Sequence, residues 1–552
     1  MNRQLVLSFL CILFGYLIFG TYALSLRAPF DFPIEIYWLS FVLVSIPLFC
    51  EVLFWRDNPK LRLFYLLCFS LMINLQYAVV DFSPLMTSSD AIADYRLTNK
   101  IITDSNWIPA NLVEWFFGSE YRFYPVTNFI YATTSLSTGI PLIFVVKYLF
   151  LVKSIILPPI ANKLFRSFFD SRVAYLATIF FLSSPGAIIF PHKESFAIIF
   201  FFLCLYGISR IQKNRKFLVI CFITTLTLFM THHFTSYIFL GLLTSLYIGQ
   251  YIFKGKKTFR VSTQYVILSW VIFVAWITFV AWAVFSFHQD IVFNLVFGSL
   301  FSGELAPSEL LSLSMLYERI IIYIGYGITL VSTGLGFLFY IRNKKSRSSE
   351  FLVFTLFFLP ILALATIFRF SGSTEHSILI SHRVYEFGYI VIGAFSALFF
   401  IHIIQKMRTH KKLIKSLILI CPLVFIMLVG PMAGAMHPRT LARLGEVISY
   451  NGLSLNTWMG KSGASDEYIV CDYTMQIIFS GYGDSKTIIS SELFYSQNLT
   501  FPEDASYVAT YTYMTDFYGT NLKEFDNSPY LHNVYSNGII NIYKISNHPK
   551  QS

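Results

Sequence analysis

Long apolar segments constrain the fold of this chain more than any other feature of its sequence. About thirteen segments are apolar over roughly 17–25 residues, the length that a helix needs to cross a bilayer. The segments lie near residues 4–26, 34–55, 61–80, 139–160, 173–190, 194–209, 217–233, 234–253, 265–287, 319–341, 351–368, 385–404 and 413–431. Because 55% of the residues are hydrophobic and only 13% are charged, a soluble globular protein is excluded. The sequence therefore predicts an α-helical polytopic membrane protein, with an error of about two in the helix count.

The charged junctions between these segments predict an orientation in the membrane. Lys and Arg near segment ends are retained on the cytoplasmic side. With a cytoplasmic N-terminus, every second junction is basic, from Arg56 and Arg62 to the run at 406–415. An odd number of spans then places the loop at 81–138 and the tail on the outer face. We expect a multi-pass protein of the plasma membrane with an extracytoplasmic C-terminal region.

Composition divides the chain into four regions. These are N-terminal transmembrane helices at 1–80, an external acidic and amphipathic loop at 81–138, a transmembrane bundle at 139–431 and an extracytoplasmic domain at 432–552. The tail is polar and turn-rich, with runs typical of strands at 468–471, 486–489, 507–510 and 539–545. A small α/β or β-rich domain is therefore expected outside the membrane.

Charge and cysteine usage limit the partners of the chain. The net charge of +11 is explained by cytoplasmic turns and anionic headgroups, so membrane lipids are expected partners and nucleic acid is not. Of the seven cysteines, all but Cys471 lie in the predicted spans. No Cys-x-x-Cys or similar spacing occurs, so the sequence predicts no disulfide framework, no metal site and no cofactor.

Two aspartates in the external loop are the first candidates for chemistry. Asp90 and Asp94 follow a run at 87–89 suited to N-capping, in a stretch with helical periodicity. Their i,i+4 spacing puts both carboxylates on one helix face, where like charges are destabilising by roughly 0.2–0.5 kcal/mol. In one interpretation Asp90 caps the helix and Asp94 faces water. In the other, one carboxylate is a general base and the other orients it or binds sugar hydroxyls. Spacing alone favours the first interpretation.

Three other junctions on the same predicted face carry ionisable residues at the edge of the bilayer. They contribute His192, Lys193 and Glu194 before the sixth segment, His232 and His233 at the end of the seventh, and Arg383 before the twelfth. Each alone is explained equally well by a structural role, as an interfacial anchor or a hydrogen-bonded pair between helices, and by a functional one. Ionisable residues at membrane depth, however, usually face a cavity or a partner. Together, these cations with the carboxylates suit a phosphate-bearing substrate held at the membrane surface.

The loop residues resemble a known family. The stretch SDAIADY at 89–95, followed by NWIP at 106–109, is similar to the first external loop of integral-membrane GT-C glycosyltransferases, particularly their uncharacterised archaeal and bacterial members. The stretches HKES at 192–195 and THHFTS at 231–236 are similar to later parts of the same proteins. The resemblance extends from about Asp81 to Arg383.

This resemblance implies a GT-C-like bundle that transfers a sugar from a polyprenyl-phosphate or dolichyl-phosphate donor to a hydroxyl of a lipid-linked glycan, a cell-surface glycan or a protein. Transfer is expected to be inverting and metal-independent, with Asp90 as the base and Asp94 as its catalytic neighbour. The predicted substrate-binding residues are Tyr95, His192, Lys193, Glu194, His232, His233 and Arg383, with Lys193 and Arg383 holding the donor phosphate.

Departures from the family pattern narrow the expected reaction. Many relatives carry adjacent or nearly adjacent acids, whereas this chain spaces Asp90 and Asp94 by four. Oligosaccharyltransferase catalytic subunits carry a Trp-Trp-Asp signature that this sequence lacks. En bloc transfer of a glycan to protein is therefore disfavoured.

Two other function classes stay open at this point. A transporter or flippase for a lipid-linked substrate would also place basic residues in membrane cavities, but it would commonly show internal repeats, and none is evident here. A polysaccharide polymerase or ligase would use similar substrates, but it would more often carry its large external loop late in the chain. Sugar transfer by purified protein supplied only with a polyprenyl-phosphate monosaccharide would distinguish a glycosyltransferase from both a transporter and a polymerase or ligase.

Overall fold

The computed structural model describes the helical part of the chain and much of the tail. The described residues are 3–25, 33–55, 58–80, 89–105, 123–184, 193–211, 214, 216–253, 261–282, 316–343, 348–370, 375–406, 412–432, 452–464, 467–472, 475–476, 478–479, 485–490, 493–494, 501–512, 514 and 520–546.

Helices account for nearly all of the described chain before the tail. In chain order they are α1 (Arg3–Ser25), α2 (Ile34–Phe54), α3 (Pro59–Val80), α4 (Ser89–Asp104), α5 (Val126–Thr138), α6 (Leu142–Tyr148), α7 (Lys153–Phe168), α8 (Ser171–Leu182), α9 (Lys193–Ile211), α10 (Lys216–Phe229), α11 (His233–Ile252), α12 (Thr263–Phe279), α13 (Leu316–Arg342), α14 (Ser349–Phe370), α15 (Glu375–Lys406) and α16 (Lys412–Met432). A helix overlaps every predicted span.

Six described helical segments are both long and apolar enough to cross a membrane. They are Leu5–Ser25, Ile34–Phe54, Leu142–Phe168, Lys193–Ile211, Leu316–Arg342 and Arg383–Lys406. Several of the other described helices are apolar but shorter, including α8, α10 and α12. The structure thus gives a mostly helical, multi-pass membrane protein, while the count of thirteen spans and the side of each terminus stay predictions.

The predicted span at 139–160 begins differently from the expectation. Gly139, with φ +71°, ends α5, and α6 starts after Pro141. A short 3₁₀ turn at Leu149–Val152 then separates α6 from α7. α6 packs against α4 and α5, and together with α7 it forms the apolar segment Leu142–Phe168, which ends at Phe168 rather than near residue 160.

Close helix contacts hold the bundle together around α8 and α15. α8 packs against α7 and α15, and α13 and α14 also pack against α15. Gly336 on α13 lies so close to α15 that an added Cβ would overlap the Phe395 carbonyl oxygen. Gly430 on α16 approaches the Ser183 carbonyl in the same way. Small residues at such crossings let backbones approach closely, which is a common basis of helix association in membranes.

Two polar contacts tie the first helices to the rest of the bundle. Arg172 on α8 donates to the carbonyl oxygens of Val52 and Leu53 at the end of α2, at 2.7 and 3.0 Å. The Trp38 indole on α2 donates to the Glu318 carboxylate on α13 at 2.7 Å, and Glu318 is fully buried. The N-terminal helices are therefore packed into the bundle.

The tail contains a five-stranded sheet in the order β2-β1-β3-β5-β4. The strands are β1 (Tyr468–Cys471), β2 (Lys486–Ile489), β3 (Ala505–Tyr511), β4 (Leu531–Ser536) and β5 (Ile540–Ile545). β1 runs parallel to β2 and β3, whereas β5 runs antiparallel to β3 and β4. The helices α17 (Gly452–Ser462) and α18 (Leu522–Asn527) belong to the same region. Strands occur at all four predicted positions, and β4 is an addition.

Cys471 lies inside this sheet and is fully buried. The next residue, Asp472, accepts hydrogen bonds from the Met475 amide at 2.9 Å and from the Tyr511 hydroxyl at 2.8 Å. Burial, with a further contribution from Asp472, raises the pKa of the Cys471 thiol well above its usual value. The thiol is therefore protonated and inaccessible in the folded tail.

Candidate functional site

The two loop aspartates lie one turn apart near the start of α4, as their spacing predicted. Asp94 is fully buried, so the interpretation in which it faces water is wrong. The backbone of Asp90 lies in the first turn of α4, while its side chain falls outside the described part of the structure. Tyr95, the next predicted residue, is half-buried beside the core.

A buried ion pair fixes Asp94. Lys193, the first residue of α9, places its Nζ 3.3 Å from Asp94 Oδ1, and the two side chains are 4% and 0% exposed. The same Nζ donates to the Tyr124 carbonyl oxygen at 2.9 Å. Burying a charge is costly unless it is paired and hydrogen-bonded. Lys193 therefore secures α4 and the loop before α5 to the start of α9.

Asn128 on α5 is a site residue that the sequence reasoning missed. Its Nδ2 donates to the Asp94 carbonyl oxygen at 3.1 Å, to Asp94 Oδ1 at 3.3 Å and to Thr98 Oγ1 at 3.0 Å. One helical turn on, Tyr131 is fully buried, and burial with the nearby Asp94 carboxylate raises the pKa of its hydroxyl. Asn128 lies among the Thr and Ser residues of α5, so no local sequence signal distinguished it.

A second ion pair involves Glu194, the neighbour of Lys193. Its Oε2 lies 3.4 Å from Arg383 Nε on α15, with side-chain exposures of 2% for Glu194 and 19% for Arg383. Arg383 thus pairs with a residue of another helix and keeps part of its side chain accessible. Because a guanidinium carries five N–H donors, an arginine paired with one carboxylate can also bind an anion.

Lys153 extends this ionic cluster toward α7. Its Nζ lies 3.5 Å from Ser195 Oγ, and it interacts electrostatically with the buried Glu386 and Glu194 carboxylates. Since Ser195 is in the first turn of α9, Lys153 lies at the same level as Lys193. The cluster therefore joins α4, α7, α9 and α15 where α9 begins.

The predicted histidine pair lies beside Tyr124. His232 caps α11, with its Nδ1 2.9 Å from Thr235 Oγ1, and its ring centroid is 4.8 Å from that of His233. The His233 ring is 5.3 Å from the Tyr124 ring. Both histidines are buried, and the His232 side chain caps the N-terminus of α11.

The structure thus gathers most of the predicted residues around the start of α9. Asp94, Lys193, Glu194 and Arg383 share one network, and the histidines reach it through Tyr124. His192 lies outside the described residues. Within the described ranges, no group of three or more His, Cys, Asp or Glu side chains has a metal-binding arrangement.

Comparisons with known proteins agree with the helical architecture. No family model matches the chain, and no curated protein does. Among solved structures, an oligosaccharyltransferase from Archaeoglobus fulgidus tethered to an acceptor peptide matches with a TM-score of 0.50 and 12% identity, over 89% of this chain and 74% of that one.

Two further solved structures are similar at lower scores. ArnT from Cupriavidus metallidurans bound to undecaprenyl phosphate matches with a TM-score of 0.47 and 10% identity, over 86% of this chain and 97% of that one. The arabinofuranosyltransferase AftD from mycobacteria matches with a TM-score of 0.48 and 11% identity, over 89% of this chain and 42% of that one. At a TM-score of 0.50 the chain shares the fold of the Archaeoglobus fulgidus oligosaccharyltransferase, in agreement with the fold expected from the resemblance of its loop residues to GT-C glycosyltransferases.

Proposed function

We propose that this protein transfers a sugar from a polyprenyl-phosphate-linked donor to an acceptor hydroxyl on the extracytoplasmic face of the membrane. The observation that carries the proposal is the ionic network at the start of α9, which secures the aspartate-bearing helix α4 beside a partly exposed arginine on α15. A general base and an anion-binding cation are the two groups that such a transfer needs. The GT-C fold supports the same reaction class.

Asp90 is the proposed base. Asp94 is buried in an ion pair, and this leaves Asp90, one turn closer to the start of α4, as the candidate for the base. As the acceptor oxygen attacks the anomeric carbon, Asp90 accepts its proton, and the bond between that carbon and the phosphate oxygen breaks. Attack from the face opposite the leaving group inverts the anomeric centre.

The leaving polyprenyl phosphate needs charge stabilisation rather than protonation. Arg383 is proposed to supply it, helped by His232 or His233, and His192 stays a predicted contributor to substrate binding. Lys193, which the sequence assigned to the same role, is engaged with Asp94 in this structure. Tyr95 and Glu194 stay predicted contributors to substrate binding, the latter through Arg383. No metal is required by this scheme, and chelator-resistant transfer is its expected signature.

The donor lipid is proposed to lie between helices, where Phe, Leu and Ile side chains are abundant. The acceptor is a lipid-linked glycan, a cell-surface glycan or a protein hydroxyl. En bloc glycan transfer is not proposed, because the Trp-Trp-Asp signature of oligosaccharyltransferase catalytic subunits is missing from the sequence.

The test uses purified full-length protein, a radiolabelled polyprenyl-phosphate monosaccharide and a panel of glycan and lipid acceptors. We expect Asp90→Asn to abolish transfer, because the amide keeps the shape and removes the base. Asp104→Asn is the matched control, since Asp104 is exposed at the far end of the same helix. Full turnover in the Asp90 variant eliminates this residue as the base. Donor movement across vesicles without sugar transfer would favour a flippase instead.

A further inference from the structure

The first turn of α9 carries two oppositely charged side chains that reach different neighbours. Lys193 contacts Asp94 on α4, and Glu194 contacts Arg383 on α15. Consecutive residues of an α-helix project about 100° apart. A single turn of α9 can therefore hold both elements at once.

The environment of Lys193 shows that it is not a surface anchor. Lys193 and Glu194 are only 3% and 2% exposed. A cation in the first turn of a helix also opposes the helix dipole, which favours acids there. The contacts of Lys193 with the Asp94 carboxylate and the Tyr124 carbonyl compensate for that unfavourable position.

The two contacts differ in their access to other groups. The pair on the α4 side is sealed, with Asp94 fully buried, whereas Arg383 on the α15 side keeps 19% of its side chain exposed. The contact made by Lys193 is thus suited to fixing a helix. The contact made by Glu194 is suited to orienting a cation that can also bind a ligand.

We propose that Lys193 and Glu194 are positioning residues that set the separation between the two reacting partners. Lys193 holds the helix that carries Asp90, and Glu194 orients Arg383 toward the donor phosphate. This inference rests on the proposed function, and it gives the consecutive charges on α9 separate roles in base placement and donor binding.

Kinetics of the full-length enzyme separate the two roles. Lys193→Gln is expected to lower kcat about 10-fold or more, with the donor KM within about twofold of wild type, because a misplaced base slows the chemical step. Glu194→Gln is expected to raise the donor KM about 10-fold with a smaller change in kcat. Lys193→Arg should recover part of the lost kcat. Arg210→Gln, at the other end of α9, is the matched control and should resemble wild type.

Hydrogen exchange supplies a readout that does not depend on activity. Lys193→Gln should accelerate amide exchange in α4 at least 10-fold more than in α15, because local opening free energies follow local contacts. Glu194→Gln should do the reverse, accelerating exchange near the start of α15. Equal acceleration in both helices with either variant would mean general loosening of the fold and would overturn the proposal, as would no change in either.

The two sets of measurements also distinguish failure of this inference from failure of the proposed function. If wild-type protein transfers no sugar while the exchange changes stay concentrated in the expected helices, the proposed reaction is refuted, and the separate contacts of Lys193 with α4 and of Glu194 with α15 are supported. If wild type is active but the variants show neither the kinetic split nor confined exchange, the positioning roles are wrong alone.

Discussion

Breaking the buried pair between Asp94 and Lys193 should strongly destabilise this protein. Their charged atoms are 3.3 Å apart, which corresponds to an attraction of about 5 kcal/mol at an effective dielectric of about 20. Removing one partner from a buried pair typically costs about 3–5 kcal/mol, because the other charge is left uncompensated. We expect Asp94→Asn to lower the free energy of unfolding by about 3 kcal/mol, near the lower end of this range, since the amide oxygen can still accept a hydrogen bond from Lys193.

A double-mutant cycle assigns that loss to the pair. Lys193→Met keeps the apolar stem and removes the ammonium group, which leaves the Asp94 carboxylate buried without its cation. The double variant Asp94→Asn/Lys193→Met removes both charges, so it should be more stable than the sum of the single losses predicts. The expected coupling is about 0.5–3 kcal/mol.

Unfolding in lipid nanodiscs, followed by denaturant titration of wild type, both single variants and the double variant, measures this coupling. Asp104→Asn is the control, since this exposed carboxylate on α4 should change stability by less than about 0.5 kcal/mol. Additive losses in the cycle, or an Asp94→Asn variant as stable as wild type, would refute the reasoning.

Four further predictions concern Arg383, Gly336 and Cys471. Arg383→Lys should raise the donor KM, and Arg383→Ala should raise it further. Polyprenyl phosphate should no longer increase the melting temperature of the Arg383→Ala variant, and retained stabilisation by this ligand would remove Arg383 from the site. Gly336→Ala should cost about 1–3 kcal/mol because its Cβ overlaps α15, whereas Gly334→Ala, with open space around it, should be neutral in the same melting assay. Cys471 should resist a membrane-impermeant maleimide in native cells while Asp504→Cys in an exposed turn reacts; reaction only from the cytoplasmic side would invert the topology. The raised pKa of Cys471 means that the folded tail favours the neutral thiol. The contribution of this thiol to tail stability is therefore complete at neutral pH and is lost as pH rises above the ordinary thiol range. Unfolding measured over an alkaline pH series checks this dependence.

Helix positions could be predicted well because each depends on local composition. Apolar length and flanking charges define a span without any tertiary information. The bounds of the fourth span were predicted less well, because the apolar segment runs from Leu142 to Phe168 and contains a 3₁₀ turn that hydropathy does not register. Strands in the tail were found from their short β-branched and aromatic runs, except β4, whose residues are largely exposed and polar.

The site was only partly predictable, because its partners are distant in sequence. The loop acids and the residues before α9 stood out by their charge, but nothing local indicated that Lys193 pairs with Asp94 and Glu194 with Arg383. Asn128 was missed for the same reason, since an amide gains its role only from the groups it meets. Charge identifies candidates, and packing decides which of them bind each other.

The hydrogen bond between Trp38 and Glu318 has a consequence for how the protein is made. Its two partners are separated by 280 residues, so α2 is synthesised long before the carboxylate that completes its contact. An isolated carboxylate near a helix start in lipid is expensive, which makes burial of Glu318 dependent on α2 already being in place. Replacing Trp38 with phenylalanine would therefore delay late steps of assembly, and a ribosome-synchronised insertion experiment would show α13 exposed to protease for longer.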